Sequence, residues 1–267
     1  MERVRTTIEN GIADVRLARP EKMNALDEAM FHALIETGIR LKKDKAVRAA
    51  VISGEGKAFC AGLDMGNFQR TAENGRETRP EGRLLPRTHG IANRPQYAAW
   101  VWREVPVPVI AAVHGVAFGG GFQVMLGADI RYAAPATRFS VMEIKWGLVP
   151  DMGGTALMRN LAREDVIREL TYTGRVFDAE EGARLGLVTR ICEDPRAEAF
   201  ALARDIAGKN PDAIRAAKRL LNAAPLASDA DALMAESVEQ TAIIGRPNQV
   251  EAVMAQLQNR PPVFATE

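Results

Sequence analysis

Short apolar runs recur along this chain, and stretches with helical spacing separate them. This alternation constrains the fold more than any single residue. "RVRTTIENGIADVRLARP" reads as two strands around Asn10-Gly11, the dipeptide that a two-residue hairpin turn favours. "RAAVISG" (48–54), "VPVIAAVHG" (107–115), "ADIRYAAP" (128–135) and "LGLVTRIC" (185–192) follow as further strands. Their near-continuous apolar character is that of strands buried on both faces. Between the hairpin and residue 48, Phe31, Leu34, Ile35, Gly38 and Ile39 fall on one helical face, with Asp27 placed to cap it. Strands alternating with helices predict an α/β layered core.

From Pro195 onward the pattern is helical throughout. Asn210-Pro211 marks a stop and a restart, and Ser228 is a good N-cap. The chain is therefore read as a core over 1–195 and a helical segment over 196–267. Residues 64–99 are polar, rich in Arg, Gly and Pro and without period, so they read as a long loop. At 267 residues, a core of this size needs no disulfide or metal staple. A formal net charge of +1 offers no field for nucleic acid or an anionic membrane surface. The charged, alternating N-terminus has no apolar h-region, no window approaches a membrane span, and Cys60 and Cys192 lack metal-ligand spacing. A cytoplasmic protein in a reducing compartment is expected, with no metal and no cofactor.

Three stretches carry the candidate chemistry: "GKAFCAGLD" (56–64), "VHGVAFGGGFQVMLGADIR" (113–131) and "RFSVMEIKWGLVPDMGGT" (138–155). The first two place small residues where a strand gives way to a loop or helix. Unpaired N–H groups occur at a helix start, and two that converge make an oxyanion hole. Gly119, Gly120 and Gly121 suit such a site, and equally suit a tight helix–sheet contact.

Taken together and in this order, "AFCAGLD", "HGVAFGGG" and "GLVPDMGG" resemble the crotonase, or enoyl-CoA hydratase/isomerase, superfamily over residues 3–260. The resemblance implies a spiral of ββα units, a C-terminal helical segment used in trimer assembly, often a dimer of trimers, and an acyl-CoA thioester as substrate. Coenzyme A then arrives as part of the substrate. The resemblance also implies oxyanion-hole amides at Ala61 and Gly120, with Gly62, Leu63 and Asp64 beside the thioester. Lys22 and Lys57 are the cations nearest the expected site of the CoA phosphates, and Trp146 is expected to line the acyl site.

The carboxylates separate the possible reactions. Family hydratases typically place a glutamate where this chain has Gln123, and a carboxamide accepts no proton at neutral pH. The second family glutamate matches Glu143. Asp151, eight residues on, matches the aspartate that dienoyl-CoA isomerases pair with that glutamate, although those isomerases carry an aspartate at the position of Gln123. Asp151 alternatively reads as a turn residue before Gly153-Gly154. The favoured expectation is double-bond isomerisation by Glu143 and Asp151, with Gln123 holding substrate or water. The rivals are hydration of a 2-enoyl-CoA by Glu143 with Asp151, thioester hydrolysis, and a non-catalytic acyl-CoA-binding or RNA-binding member. Cys60, His114, His89 and Ser140 read as structural or solvated.

Overall fold

The structure, a computed structural model, describes residues 2–64, 66 and 84–265. It opens on the hairpin β1 (Val4–Glu9) and β2 (Ile12–Leu17). Asn10 and Gly11 both take positive φ, 51° and 76°, as the twist of a two-residue turn demands. Helix α1 (Glu28–Lys43) starts where the Asp27 side chain accepts the Met30 N–H. Then come β3 (Ala49–Gly54), α2 (Arg94–Glu104), β4 (Val109–Val113), β5 (Val116–Phe118), α3 (Gly120–Leu126), β6 (Ile130–Ala133), β7 (Arg138–Ser140) and a 3-10 turn, Glu143–Trp146. The chain continues through α4 (Gly154–Met158), α5 (Glu164–Thr173), β8 (Phe177–Asp178), α6 (Ala179–Arg184) and β9 (Arg190–Ile191). It closes with α7 (Pro195–Ala207), α8 (Pro211–Ala223), α9 (Asp229–Ile243) and α10 (Pro247–Leu257).

Among the described residues, one sheet runs β1-β2-β3-β4-β6-β9, and only its first pair is antiparallel. The second sheet runs β5-β7-β8. Successive side chains of a strand leave on opposite faces. Ala50 and Ile52 of β3 accordingly join Leu34 of α1 and Trp102 of α2 in the main core. Val51 joins Ile110, Ala112 and Tyr132 against Ala199 and Ala203 of α7. Burial on both faces is why these strands read as unbroken apolar runs.

Three expectations need correction. Helix α7, assigned from sequence to the C-terminal segment from its second residue on, covers the outer face of the large sheet and belongs to the layered core. Half of the loop read over 64–99, at 65 and 67–83, lies outside the described residues; its last part, from Arg94, is already helix α2. Asn93 and Gln96 form a reciprocal capping box there, with Pro95 in the first turn. In the run 185–192 only Arg190–Ile191 is strand. Leu187 and Val188 are instead buried behind the turn at Gly186.

Candidate active site

The site forms where the two sheets meet. After β3 the chain returns as residues 58–64, a segment held by backbone bonds on both sides. Phe59 and Cys60 donate to the His114 and Val116 carbonyls at 2.9 and 3.0 Å, and Phe118 donates to the Cys60 carbonyl at 3.1 Å. On the other side Leu26 donates to Gly62 O at 2.8 Å and Asp64 donates to Leu26 O at 3.0 Å. Buried Asn24 stitches the two segments from within: its Nδ2 donates to the Glu55 and Ala58 carbonyls, and its Oδ1 accepts the Arg19 N–H.

These bonds decide which amide in the segment is free. Ala61 N–H donates to Met23 O at 2.9 Å, so the expectation that it serves an oxyanion is corrected. Gly62 N–H hydrogen-bonds the Cys60 thiol. Leu63 bridges Leu26 in parallel fashion, with Gly62 and Asp64 making the bonds, so its own N–H points the other way. A Cβ placed on Gly62 would stand 2.8 Å from Phe118 O and 3.8 Å from the Gly120 nitrogen. Among the described residues no acceptor takes up the Leu63 or Gly120 N–H.

The glycine triplet divides its labour. Gly119 turns the chain from β5 into α3 with φ 49°, a region that other residues rarely enter. Gly120 and Gly121 make room instead. A side chain on Gly120 would stand 2.8 Å from Leu26 Cδ1 and from Met152 Sδ. One on Gly121 would stand 2.7 Å from Cys60 Cβ and Sγ, with the Cys60 carbonyl closer still. Both readings of the triplet therefore apply: a tight packing contact at Gly121 and an open N–H at Gly120.

Gln123, on the next turn of α3, is 1% exposed. Its Nε2 donates to Glu143 Oε1 at 2.6 Å, and its Oε1 accepts the N–H groups of Met152 (2.9 Å) and Gly154 (2.8 Å). Its carbonyl is thus spent within the protein, which corrects the expectation that it holds substrate or water. Glu143 is 9% exposed and opens the 3-10 turn. Its Oε1 packs against Gly119, 3.4 Å from where a Cβ would lie. Its Oε2 is buried with no hydrogen-bond partner among the described residues. Burial pushes the Glu143 carboxyl above its ordinary range; the bond from Gln123 offsets part of this and the charge of Asp151 adds to it. Asp151 is exposed, yet the protein around its carboxyl withdraws enough water to raise that group too. The charge of Asp151 thus reaches Glu143, and burial holds both carboxyls above their ordinary range.

The remaining candidates sort by their partners. Asp64 is paired with Arg19 at 2.6 Å and accepts the Gly66 N–H, so it braces the loop. Lys22 and Lys57 are both exposed on the segments that Asn24 joins. Trp146 lies on the open side of the Glu143 turn with Lys145 Nζ 5.5 Å from its ring centre. Burial pushes the Cys60 thiol up to about 12, which makes it inert as a nucleophile. Ser140 Oγ donates to Gly174 O, and His114 is engaged by Gly56 O. Sequence reasoning missed Asn24, Arg19 and the Met152 and Gly154 amides: Asn24 and the two amides act through backbone groups, which leave little mark beyond an Asn in the left-handed region, and Arg19 pairs with an Asp64 that is 45 positions away.

Comparison with known proteins bears directly on this arrangement. The family model described as "Enoyl-CoA hydratase/isomerase" matches residues 7–267. The mitochondrial Delta(3,5)-Delta(2,4)-dienoyl-CoA isomerase of Mus musculus is 34% identical over 80% of this chain. The match spans 66% of that isomerase's length. The hydroxycinnamoyl-CoA hydratase-lyase of Pseudomonas fluorescens is 32% identical, over 80% of this chain and 76% of its own. The crystal structure of an enoyl-CoA hydratase from Bacillus anthracis superposes with a TM-score of 0.89 at 25% identity, covering 99% of this chain and all of that one. The expected crotonase-type α/β fold with C-terminal helices is thus the observed one. On its motifs, its fold and the match along nearly its whole length, the chain belongs to the enoyl-CoA hydratase/isomerase family.

Proposed function

We propose that this protein isomerises a carbon–carbon double bond of an unsaturated acyl-CoA thioester. One observation carries the choice: the group hydrogen-bonded to Glu143 is the amide of Gln123, which exchanges no proton. Isomerisation moves a proton between carbons and adds no water, so the carboxyls of Glu143 and Asp151 suffice. The thioester carbonyl accepts the N–H groups of Leu63 and Gly120. Removal of the proton by Glu143 sends the C–H electron pair into the conjugated system and negative charge onto the thioester oxygen, where the two amides stabilise it. A typical oxyanion donor contributes about 2.7–4 kcal/mol. Glu143, or Asp151 for a more distant carbon, then returns a proton and the shifted double bond remains.

The reading carries further expectations. The exposed Lys22 and Lys57 attract the CoA phosphates, and coenzyme A enters as part of the substrate without a separate cofactor. A trimer or hexamer is supported by the apolar residues that α8–α10 leave exposed, Leu221, Leu233, Met234, Val238 and Leu257 among them. No described helix is long and apolar enough to cross a membrane, and the free thiols of Cys60 and Cys192 accord with a cytoplasmic location. Hydration by Glu143 with Asp151 is the second reading: burial holds both carboxyls above their ordinary range, and a pair of them also suffices to move protons to and from a water. A panel of 2-enoyl-, 3-enoyl- and 3,5-dienoyl-CoA thioesters tests the choice. Isomerisation of the 3-enoyl or 3,5-dienoyl members is expected; rapid hydration of crotonyl-CoA with no isomerisation of any member overturns it.

A further inference from the structure

We propose that Gln123 is a positioning residue that confines proton exchange at Glu143 to a single oxygen, Oε2. This rests on the acyl-CoA isomerase reading above and deepens it. The orientation of the Gln123 amide follows from its partners. Met152 and Gly154 present two N–H donors to one end of it, at 2.9 and 2.8 Å, and only the carbonyl end can accept them. The NH2 end is therefore turned to Glu143, where it donates to Oε1 at 2.6 Å. Reversal would set an NH2 group against two N–H donors in a site closed to water, and a buried polar clash of that kind is strongly disfavoured. Both side chains are held: Gln123 is 1% exposed and Glu143 9%.

The consequence concerns where the acidic proton sits. An oxygen that accepts a short bond from Nε2 is a poor place for a proton, because protonation there would compete with that bond. Oε2 is buried and unpartnered, and so is the free acceptor of the carboxylate. When Oε2 takes a proton from C2 of a 3-enoyl thioester, the C–H pair enters the dienolate and Glu143 becomes neutral. When the same Oε2 gives that proton to C4, the dienolate pair forms the new C–H bond, the thioester carbonyl is restored and Glu143 is again a carboxylate. With Oε1 tied to Gln123 the carboxyl cannot turn to present its proton elsewhere, and Oε2 is itself closed to solvent. The hydrogen taken from C2 is the hydrogen delivered to C4.

The test uses 3-hexenoyl-CoA deuterated at C2, turned over in ordinary water, with deuterium at C4 of the 2-hexenoyl product read by NMR. The wild-type product is expected to carry most of the transferable label at C4. Gln123→Met removes both ends of the amide, and C4 label should fall to the level set by solvent exchange. The acid limb of the pH–rate profile should rise, since the bond from Gln123 favours the ionised Glu143. Gln123→Glu guards against a Met variant that fails to fold: one of its oxygens can still accept the Met152 and Gly154 N–H groups. Its other oxygen faces Glu143 Oε1 and opens a proton path there, so label should again fall. The acid limb should rise by on the order of one pH unit from the added carboxyl. If both folded variants retain C4 label at the wild-type level, or if wild type itself transfers none while isomerising the probe, the proposal is overturned. Failure of the wild type to isomerise any thioester instead overturns the functional reading beneath it.

Discussion

Replacing Glu143 by Gln separates the catalytic from the structural role of one carboxyl. The amide retains an oxygen to accept the bond from Gln123 Nε2, so the local packing is kept. Loss of a general base typically lowers the rate 10²–10⁴-fold, about 3–5 kcal/mol of transition-state stabilisation. Stability should move the other way as pH rises. Burial raises the Glu143 carboxyl above its ordinary value of 4.5, so the fold holds the proton more tightly than the unfolded chain does. That preference is fully present below the ordinary value and is lost as pH climbs through the raised one. In wild type, the ionised buried carboxylate then weighs against the fold, by about 1.4 kcal/mol for each pH unit of elevation. The Gln variant escapes this, so its stability relative to wild type should grow as pH climbs from the ordinary value of 4.5 through the raised one, and level off on either side. In a chain of this length each kcal/mol is about 2 °C in Tm. Thermal unfolding of both proteins at several pH values, beside isomerase rates and CoA-ester binding, reads all three quantities. A variant keeping more than half of wild-type activity, or a stability difference that does not change with pH, refutes the reasoning.

Asp151→Asn should suppress isomerisation of a 3,5-dienoyl-CoA while sparing a 3-enoyl-CoA, because only the former needs a proton returned far from Glu143; equal loss on both substrates removes Asp151 from that role. Gly121→Ala drives a Cβ to 2.7 Å from Cys60 Cβ and Sγ and should destabilise the protein by about 1–3 kcal/mol, read by urea unfolding; an unchanged midpoint contradicts the close approach. The double variant Lys22→Ala, Lys57→Ala should weaken CoA-ester binding, with a smaller salt dependence than wild type; an unchanged Kd at low ionic strength excludes both lysines from the phosphate site.

The layered α/β plan was legible because burial on both faces leaves an unmistakable signal in β3 and β4, and because Asp27, Asn210 and Ser228 cap their helices as their side chains suggest. Gly120 stood out within three glycines at a strand-to-helix junction, and Glu143 through the match of its motif to the family's glutamate. Two things were not legible. The sequence could not say that Ala61 N–H is taken by Met23 O, because that bond joins residues 38 positions apart through backbone atoms common to every residue. Nor could it say that Gln123 is spent on three protein partners, because an amide side chain reads the same whether it faces a ligand or a neighbour. Helix α7 was misassigned because its apolar face is equally consistent with a sheet and with a second subunit.

The free N–H groups of Leu63 and Gly120 have a consequence for divergence. A donor that belongs to the main chain is carried by whatever residue occupies the position, so Leu63 is free to drift among side chains that fit beside Leu26. What must be inherited is the path of the backbone, and that path is set elsewhere: by Asn24 with its three backbone bonds, Gly119 with its positive φ, and the space left at Gly121. Selection on the binding chemistry is thereby displaced onto the scaffold. On the proposed reading, acid–base groups can change around a fixed pair of amides without the backbone that presents those amides being rebuilt.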